Sequence, residues 1–217
     1  MGQYKIYAYL IFFLIMELFG QSSTVARVKY SGGGDWYGNQ TTFKNIFNFI
    51  REEFGMDFGS KEEIVSLESK EIYQYPLLYI AGHGNIKFNS REIINLRNYL
   101  LSGGFLWADD DYGMDKAFRR EIRKVFPDAE WMELPFSHEL YKKPFSFPNG
   151  LPKIHEHNGG PPKGLALFYK KRMVIFYSFN TDISDGCESP EIHQDPPEVR
   201  EKALKFATNL LFYCLNN

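Results

Sequence analysis

This chain of 217 residues has few cysteines and no excess of basic over acidic residues, and each lack excludes a class of protein. Two cysteines, Cys187 and Cys214, are too few for the disulfide framework of a small secreted domain. A formal net charge of -2 lacks the basic excess of a nucleic-acid-binding surface, so we expect no nucleic-acid partner. With 44% hydrophobic residues the chain can bury one sizeable core, and we expect a single domain over residues 25–217.

Several motifs that carry chemistry are also missing. The glycine-rich stretch at residues 31–37 matches neither common phosphate-binding pattern, and no lysine follows it. No Gly-x-Ser-x-Gly occurs, which disfavours serine hydrolysis through a nucleophile elbow. The acidic stretch at residues 180–186 departs from the calcium-loop pattern. The sequence therefore disfavours a phosphate-binding loop, a serine hydrolase of this type and a calcium-binding loop.

The N-terminus indicates export. Lys5 precedes an apolar run over residues 6–19, and a polar stretch follows, as in a secretory signal peptide over residues 1–20. This predicts a periplasmic or secreted protein. The run is shorter than the ~20 residues of a spanning helix and Glu17 interrupts it, so a membrane anchor in this segment is the alternative. No cysteine follows the run, so we do not expect bacterial lipid attachment.

Short apolar runs alternate with helical patterns along the chain. Strands are expected at residues 25–30, 64–67, 77–81, 105–108 and 131–134, and helices over residues 43–54, 89–101 and 118–125. This order predicts an α/β fold, with a mainly parallel sheet covered by helices on both faces. Residues 165–169 and 173–177 are expected to pair as a hairpin. The last helix should begin with Asp195 as N-cap and Pro196 at its first position.

The stretch over residues 77–113 organises the predicted fold. Asn89 and Glu92 have the spacing of a capping box, and Gly103 with Gly104 provides a helix stop between two strands. Strands joined by one crossover helix usually neighbour each other, so the strands that begin at residues 25, 77 and 105 should be adjacent and parallel. Ligands bind outside the carboxyl ends of such strands, which here carry a histidine and three aspartates.

The residues after these two strands are the candidate catalytic groups, namely His83, Asp109 and Asp110. Adjacent carboxylates repel one another unless a cation or hydrogen bonds stabilise them, so we expect the acidic run at residues 109–111 to serve a site. In the alternative, the aspartates face solvent, cap a helix or tether a loop, and His83 is satisfied within a tight turn. We expect His83 and Asp109 to share a pocket.

Candidate ligand-binding residues follow the first and the last parallel strand. Glycines let a backbone approach a ligand closely. For the glycines after the first strand, a strained strand-to-helix turn is an equally good explanation. The last strand is followed by carbonyl, carboxylate and imidazole groups, of which Asp185 is assigned to an Asx-rich turn. The candidates are Gly33, Gly34, Asp35, Trp36, Tyr37, Asn180, Asp182 and His193.

His155 and His157 are candidate metal ligands. Residues two apart share a face of an extended chain, and such a pair can chelate a divalent metal ion. A solvated pair of loop histidines is the alternative, because local spacing provides no third ligand. We expect Asp35 and at least one of these histidines to border the pocket of His83 and Asp109.

Six segments together carry a resemblance to a known family. They are residues 30–37, 79–84, 103–110, 152–157, 177–182 and 195–200. The chain resembles an uncharacterised bacterial family, domain of unknown function 4159. That family is similar to the class I glutamine amidotransferase-like and ThuA-like group, which implies a flavodoxin-like three-layer sandwich. In the amidotransferases a cysteine follows the strand that corresponds to residues 105–108, and here Asp109 follows instead. The resemblance therefore implies the fold without thiol chemistry.

Two classes of function remain open. The first is an exported enzyme or binding protein whose crevice holds a divalent metal ion or a polar ligand. A carbohydrate would fit, with Trp36, Tyr37 and Trp107 as stacking surfaces. The second is a non-catalytic protein of the cell envelope that uses the same surface for a protein partner. Convergence of the polar groups in one pocket would favour the first class, and their dispersal would favour the second.

Overall fold

The computed structural model describes residues 24–157 and 159–216, and in these ranges one seven-stranded sheet forms the centre of the molecule. The predicted signal segment lies outside the described residues. The strands are β1 (Val25–Val28), β2 (Glu63–Val65), β3 (Leu77–Ile80), β4 (Phe105–Asp109), β5 (Met132–Glu133), β6 (Lys163–Tyr169) and β7 (Arg172–Phe179).

Helices connect most of the strands. The α-helices are α1 (Thr42–Phe54), α2 (Ser90–Leu101), α3 (Asp115–Val125), α4 (Ile183–Gly186), α5 (Pro190–His193) and α6 (Pro197–Asn216), with 3-10 helices at Lys70–Gln74 and Glu139–Tyr141. Within the described ranges, no helix has the length and apolar character that a membrane span requires.

The strand order is β2-β1-β3-β4-β7-β6-β5. Val25 pairs with Leu77 and Leu77 pairs with Phe105, all in parallel, which confirms the predicted adjacency of the three strands. β7 continues the parallel set beside β4, whereas β6 and β5 add an antiparallel edge. The five parallel strands thus follow the 2-1-3-4-5 order of doubly wound sheets, and the layout is compatible with a flavodoxin-like fold.

Alternate residues of the central strands face opposite cores, as strand geometry requires. Leu77 and Tyr79 pack with α1 and α6 on one face, and Leu78 and Ile80 pack with α2 and α3 on the other. The prediction of helices on both faces of a mainly parallel α/β sheet is therefore confirmed. All four side chains are buried, which explains why β3 reads as a continuous apolar run.

Local sequence signals correctly predicted one helix start and one hairpin, and they misplaced the start of the last helix. The Asn89 side chain accepts from the N–H groups of Arg91 and Glu92, which completes the predicted capping box. The β6–β7 hairpin forms as predicted. The last helix, however, begins at Pro197 instead of Pro196. The Asp195 carboxylate that was expected to cap it lies against His155 instead.

Candidate metal centre

The carboxyl ends of β1, β3, β4 and β7 meet at one edge of the sheet because these strands are parallel neighbours. The loops that follow them carry most of the sequence-predicted site residues. The structure sorts these residues into three groups: a buried carboxylate group after β4, a histidine group after β7, and a histidine–aspartate pair that joins the loops after β1 and β3.

The aspartates at the end of β4 are buried rather than exposed to the crevice. Both oxygens of Asp109 are occupied: Ser178 Oγ donates to Oδ1, and the N–H and hydroxyl of Ser184 donate to Oδ2, each at 2.6 Å. Burial raises the pKa of Asp109 to about 7. The Asp110 carboxylate accepts from the N–H of Met114 (3.2 Å) just before α3, and burial raises its pKa as well.

Asp111 completes this buried group. Its Oδ1 lies 3.0 Å from Ser184 Oγ, and its Oδ2 accepts from Asn39 Nδ2 (2.9 Å). Burial and then the charges of Asp185 and Asp109 raise the pKa of Asp111 well above its usual value. The three carboxylates are thus held by hydrogen bonds in a region crowded with negative charge, and they form the floor of the site.

Three histidines lie together above this floor. His155 and His157 come from the long segment before β6, and His193 comes from α5. The rings of His155 and His193 are 5.2 Å apart between centroids, and those of His155 and His157 are 6.1 Å apart. The predicted metal pair therefore acquires a third imidazole through tertiary structure. His193, predicted only as a ligand-binding residue, belongs to the same group.

Asp182 is the carboxylate around which the first two histidines gather. Its Oδ2 lies 3.2 Å from His155 Nδ1 and also contacts His157 Nε2. Donor atoms of one tetrahedral zinc ion stand about 3.3 Å apart, so the separation of His155 Nδ1 and Asp182 Oδ2 suits a shared metal ion. One ligand atom from each of these three residues lies within 4.8 Å of the other two. His155, His157 and Asp182 are hereafter the metal triad.

The other oxygen of Asp182 is the least satisfied atom of the site. Asp182 is fully buried, yet its Oδ1 has no hydrogen-bond partner among the described residues. An unpaired buried acceptor typically costs about 1–3 kcal/mol. The backbone of Asp182 is also left-handed, with φ of 60°, which is unusual for a residue other than glycine. Both features are expected where a protein holds a ligand in place.

Neighbouring residues fix the triad on both sides. The N–H of Ile154 donates to the carbonyl of Thr181 (3.0 Å), and the Thr181 hydroxyl donates to the carbonyl of Pro152. The segment that carries the histidines is therefore joined to the residue before Asp182. Asn180, another predicted ligand-binding residue, instead accepts from Lys153 Nζ through its carbonyl and its Oδ1 (2.9 and 2.7 Å).

His155 is oriented by carboxylates at both ring nitrogens. Its Nδ1 faces Asp182, and its Nε2 lies 3.0 and 3.1 Å from the two oxygens of Asp195. The hydrogen bond to Asp182 is the main cause that raises the pKa of His155, to about 9, and Asp195 adds to it. A metal-ligating histidine typically donates its second ring N–H to a carboxylate, which is the role that Asp195 is placed to perform.

A second set of possible ligands shares His155 with the triad. Asp185 Oδ2 lies 3.8 Å from both His155 Nδ1 and His193 Nε2. Asp185 and His193 each already have a close partner. Asn39 Nδ2 donates to Asp185 Oδ1 (2.6 Å), and His193 Nε2 lies 3.0 Å from Glu188. Burial and the charge of Asp182 raise the pKa of Asp185 to about 6.

His83 pairs with Asp35 and not with Asp109. Its Nδ1 lies 3.0 Å from Asp35 Oδ2, and its backbone N–H donates to Asp35 Oδ1. The structure therefore brings His83 and Asp35 together, while the Asp109 carboxylate is enclosed by Ser178 and Ser184. His83 and Asp109 were predicted to share a pocket, and both lie at the carboxyl edge of the sheet, where His83 contacts Asp35.

The remaining predicted residues lie on the surface of the loop after β1. Gly33 and Gly34 belong to that loop, and the Trp36 and Tyr37 rings meet edge to face with centroids 5.8 Å apart. Tyr37 is 59% exposed. Trp107, considered as a stacking surface, is fully buried and donates from Nε1 to Ser178 Oγ (2.8 Å), so it offers no face to a sugar.

Sequence reasoning missed four residues that shape the site: Asp185, Asp195, Ser184 and Asn39. Asp185 had been assigned to a turn and Asp195 to a helix cap. The other two lie far from their partners along the chain, since Asn39 bridges Asp111 and Asp185 across 72 and 146 residues. No local pattern indicates such a contact.

Fold and site together define an α/β protein with a doubly wound sheet whose carboxyl edge carries a cluster of histidines and carboxylates. The family model described as "Domain of unknown function (DUF4159)" matches residues 24–215. The chain belongs to that family. No curated protein matches the sequence.

Proposed function

We propose that the protein is a metal-dependent hydrolase that holds one divalent transition metal ion, of which zinc is the best fit, at the metal triad. The observation that carries this proposal is the fully buried Asp182 carboxylate. One of its oxygens contacts two imidazole nitrogens, and the other has no partner within the described residues. Two imidazoles and one carboxylate are ligands that zinc prefers.

The number and exposure of the ligands favour catalysis over a structural role. Structural zinc sites are closed by four protein ligands, whereas catalytic sites keep a position for water or substrate. The triad provides three ligands, and the side chains of His155 and His157 are 21% and 30% exposed. A metal ion there would supply Lewis acidity and lower the pKa of a bound water, which is the chemistry of hydrolysis.

Excess negative charge gives independent support for a cation. Asp109, Asp111 and Asp185 all have raised pKa values, chiefly because of burial and also because nearby carboxylates oppose their ionisation. A bound cation would relieve part of this repulsion. The cluster built from the triad, Asp185 and His193 contains three imidazoles and two carboxylates.

A polar substrate, such as a carbohydrate, would suit the rim of the site. Tyr112 is 47% exposed and its ring stacks on His157, with centroids 4.9 Å apart and planes at 28°. An exposed aromatic face beside a metal ligand is a surface on which a sugar ring can stack. Tyr37 offers a second exposed ring at the same edge of the sheet.

We further propose that the fold belongs with the class I glutamine amidotransferase-like and ThuA-like group, and that the protein is exported. The first proposal is supported by the 2-1-3-4-5 order of the parallel strands. Asp109 ends β4, in the region where the amidotransferases carry cysteine, so the proposed chemistry is not theirs. The second proposal rests on the apolar run after Lys5.

Calorimetric titration with zinc, manganese and calcium tests the metal proposal. We expect one zinc ion per chain to bind with the highest affinity, and His157→Gln to weaken binding by about 10- to 100-fold or more. Glu156→Gln is the matched control, because Glu156 lies between the two histidines but is 76% exposed. Zinc affinity that is equal in wild type and His157→Gln would refute the assignment, and would favour the non-catalytic alternative for this surface.

A further inference from the structure

Asp35 holds His83 with both of its carboxylate oxygens. Oδ1 accepts the backbone N–H of His83, and Oδ2 lies 3.0 Å from the ring Nδ1. The ring therefore has a fixed position and a preferred tautomer, with the proton on Nδ1. Among the described residues, no hydrogen bond engages His83 Nε2. The ring nitrogen that can take up a proton is thus directed away from the carboxylate that orients it.

The two loops that carry this pair are packed at backbone distance. Gly34 N–H donates to the carbonyl of Asn85 (3.0 Å), and Lys87 N–H donates to the carbonyl of Ser31 (2.7 Å). A Cβ atom on Gly34 would lie 2.7 Å from the carbonyl oxygen of His83. Glycine at this position is therefore what allows the loop after β1 to approach the loop after β3.

Gly82 has a similar role on the other loop. A Cβ atom there would lie 2.6 Å from the Tyr30 hydroxyl and 2.8 Å from Asp35 Oδ1, and φ of 127° already favours glycine. The Tyr30 hydroxyl in turn donates to the carbonyl of Ala81 (3.0 Å). Asp35 thereby packs against Gly82 on the same side as the histidine that it orients.

Stability does not explain such close packing around this pair. The side chains of His83 and Asp35 are 50% and 36% exposed, and an ion pair with that exposure contributes little to folding. What the packing does secure is the orientation of an accessible imidazole at the carboxyl edge of the sheet. Precise orientation of an exposed histidine is a requirement of acid–base catalysis.

The pair is linked to the metal centre through the loop after β1. Asp35 and Asn39 lie four residues apart on this loop. Asn39 Nδ2 then bonds to Asp111 (2.9 Å) and to Asp185 (2.6 Å). The loop that orients His83 through Asp35 therefore also contacts the carboxylates of the metal centre through Asn39.

We propose that His83 is the general acid–base catalyst of the hydrolytic site and that Asp35 is its positioning residue. His83 Nε2 accepts a proton from the attacking water, whose oxygen forms a bond to the electrophilic atom of the substrate. The bond to the leaving group breaks, and Nε2 returns the proton to that group. Water is thus consumed and the two products share its atoms. This inference rests on the proposed hydrolytic function.

Ester hydrolysis by the zinc-loaded full chain tests the proposal, with 4-nitrophenyl acetate as the probe. We expect His83→Gln to lower the protein-catalysed rate by about 100-fold. Asp35→Asn should lower it less and leave His83 in a mixture of tautomers, visible in the ¹⁵N shifts of its ring. Asp57→Asn is the matched control, because Asp57 is an exposed aspartate in an ion pair with Arg51 (2.9 Å).

Zinc titration of the same variants separates this inference from the proposed function. The metal proposal and the acid–base proposal are both supported if zinc binds wild type and His83→Gln with equal affinity while the rate of ester hydrolysis falls in the variant. If zinc does not bind wild type but a His83-dependent rate remains, the metal proposal fails and the pair is retained. Equal rates in wild type and His83→Gln, or a His83 ring protonated on Nε2 in the wild type, would overturn the acid–base assignment.

Discussion

Replacement of Asp182 by asparagine should separate metal binding from folding. The side chain is fully buried, its Oδ2 contacts both triad histidines, and its Oδ1 has no partner in the described part of the chain. The substitution would keep the shape of the side chain and remove its charge. We therefore expect Asp182→Asn to fold cooperatively but to lose most of the affinity for zinc.

The size of the effect follows from linkage between binding and unfolding. At a free zinc concentration about 100 times Kd, binding stabilises the native state by about 2.7 kcal/mol. For a domain of this size, 1 kcal/mol corresponds to about 2–4 °C in Tm, so zinc should raise the Tm of the wild type by about 5–11 °C. The same zinc concentration should raise the Tm of Asp182→Asn by less than about 2 °C.

Thermal unfolding with and without zinc provides the measurement. Each protein is compared with its own metal-free form, so a change in the intrinsic stability of the variant does not enter the comparison. Glu156→Gln, at an exposed position between two triad residues, should keep the full wild-type increase. An increase in Asp182→Asn as large as that of the wild type would show that zinc binds elsewhere, and would refute the role assigned to the triad.

Two further predictions concern pH and the glycine contacts. In metal-free protein, the pKa of His155 is raised from 6.5 to about 9. The contribution of His155 to the free energy of unfolding is therefore fully present below pH 6.5 and is lost as pH rises towards 9. After allowance for exposure, we expect this loss to be about 1–2 kcal/mol. Urea unfolding at pH 6 and 9.5 should show this loss in wild type and not in His155→Gln, whereas zinc affinity should increase over the same window because the metal competes with the proton. Gly82→Ala should destabilise the protein by roughly 2–3 kcal/mol, since it adds a steric clash to an unfavourable φ. Gly33→Ala, with φ of 93° and no atom within 4 Å, should cost only the backbone part, about 1–2 kcal/mol; equal losses in the two variants would contradict the contact with Tyr30.

The sequence was sufficient for the α/β class and the mainly parallel sheet because the relevant signals are local. Apolar runs such as Leu77 to Ile80 report strands that are buried on both faces, and the box of Asn89 and Glu92 marks a helix start. Adjacency of the strands then followed from the short crossovers. The Asp195 prediction was wrong because an aspartate followed by proline resembles a cap in sequence, whereas its carboxylate is closer to an imidazole from a distant loop.

The site was only partly accessible to the same reasoning. His155 and His157 were candidate metal ligands because their spacing is itself a signal, and Asp182 was a candidate ligand-binding residue because it follows a strand. Their convergence depends on the path of the long segment before β6, which no periodic pattern describes. The left-handed backbone at Asp182 and its unpaired oxygen arise from tertiary contacts, so the feature that points most directly to a ligand has no signature in the sequence.

Anomalous X-ray diffraction at the zinc edge, from crystals of the zinc-loaded protein, tests the central claim most directly. We predict one strong anomalous peak within about 2.0–2.2 Å of His155 Nδ1, His157 Nε2 and an oxygen of Asp182. Crystals of the Asp182→Asn variant, prepared with zinc in the same way, should lack the peak. A strong peak at any other position, or none at the triad in protein shown to contain zinc, would contradict the account.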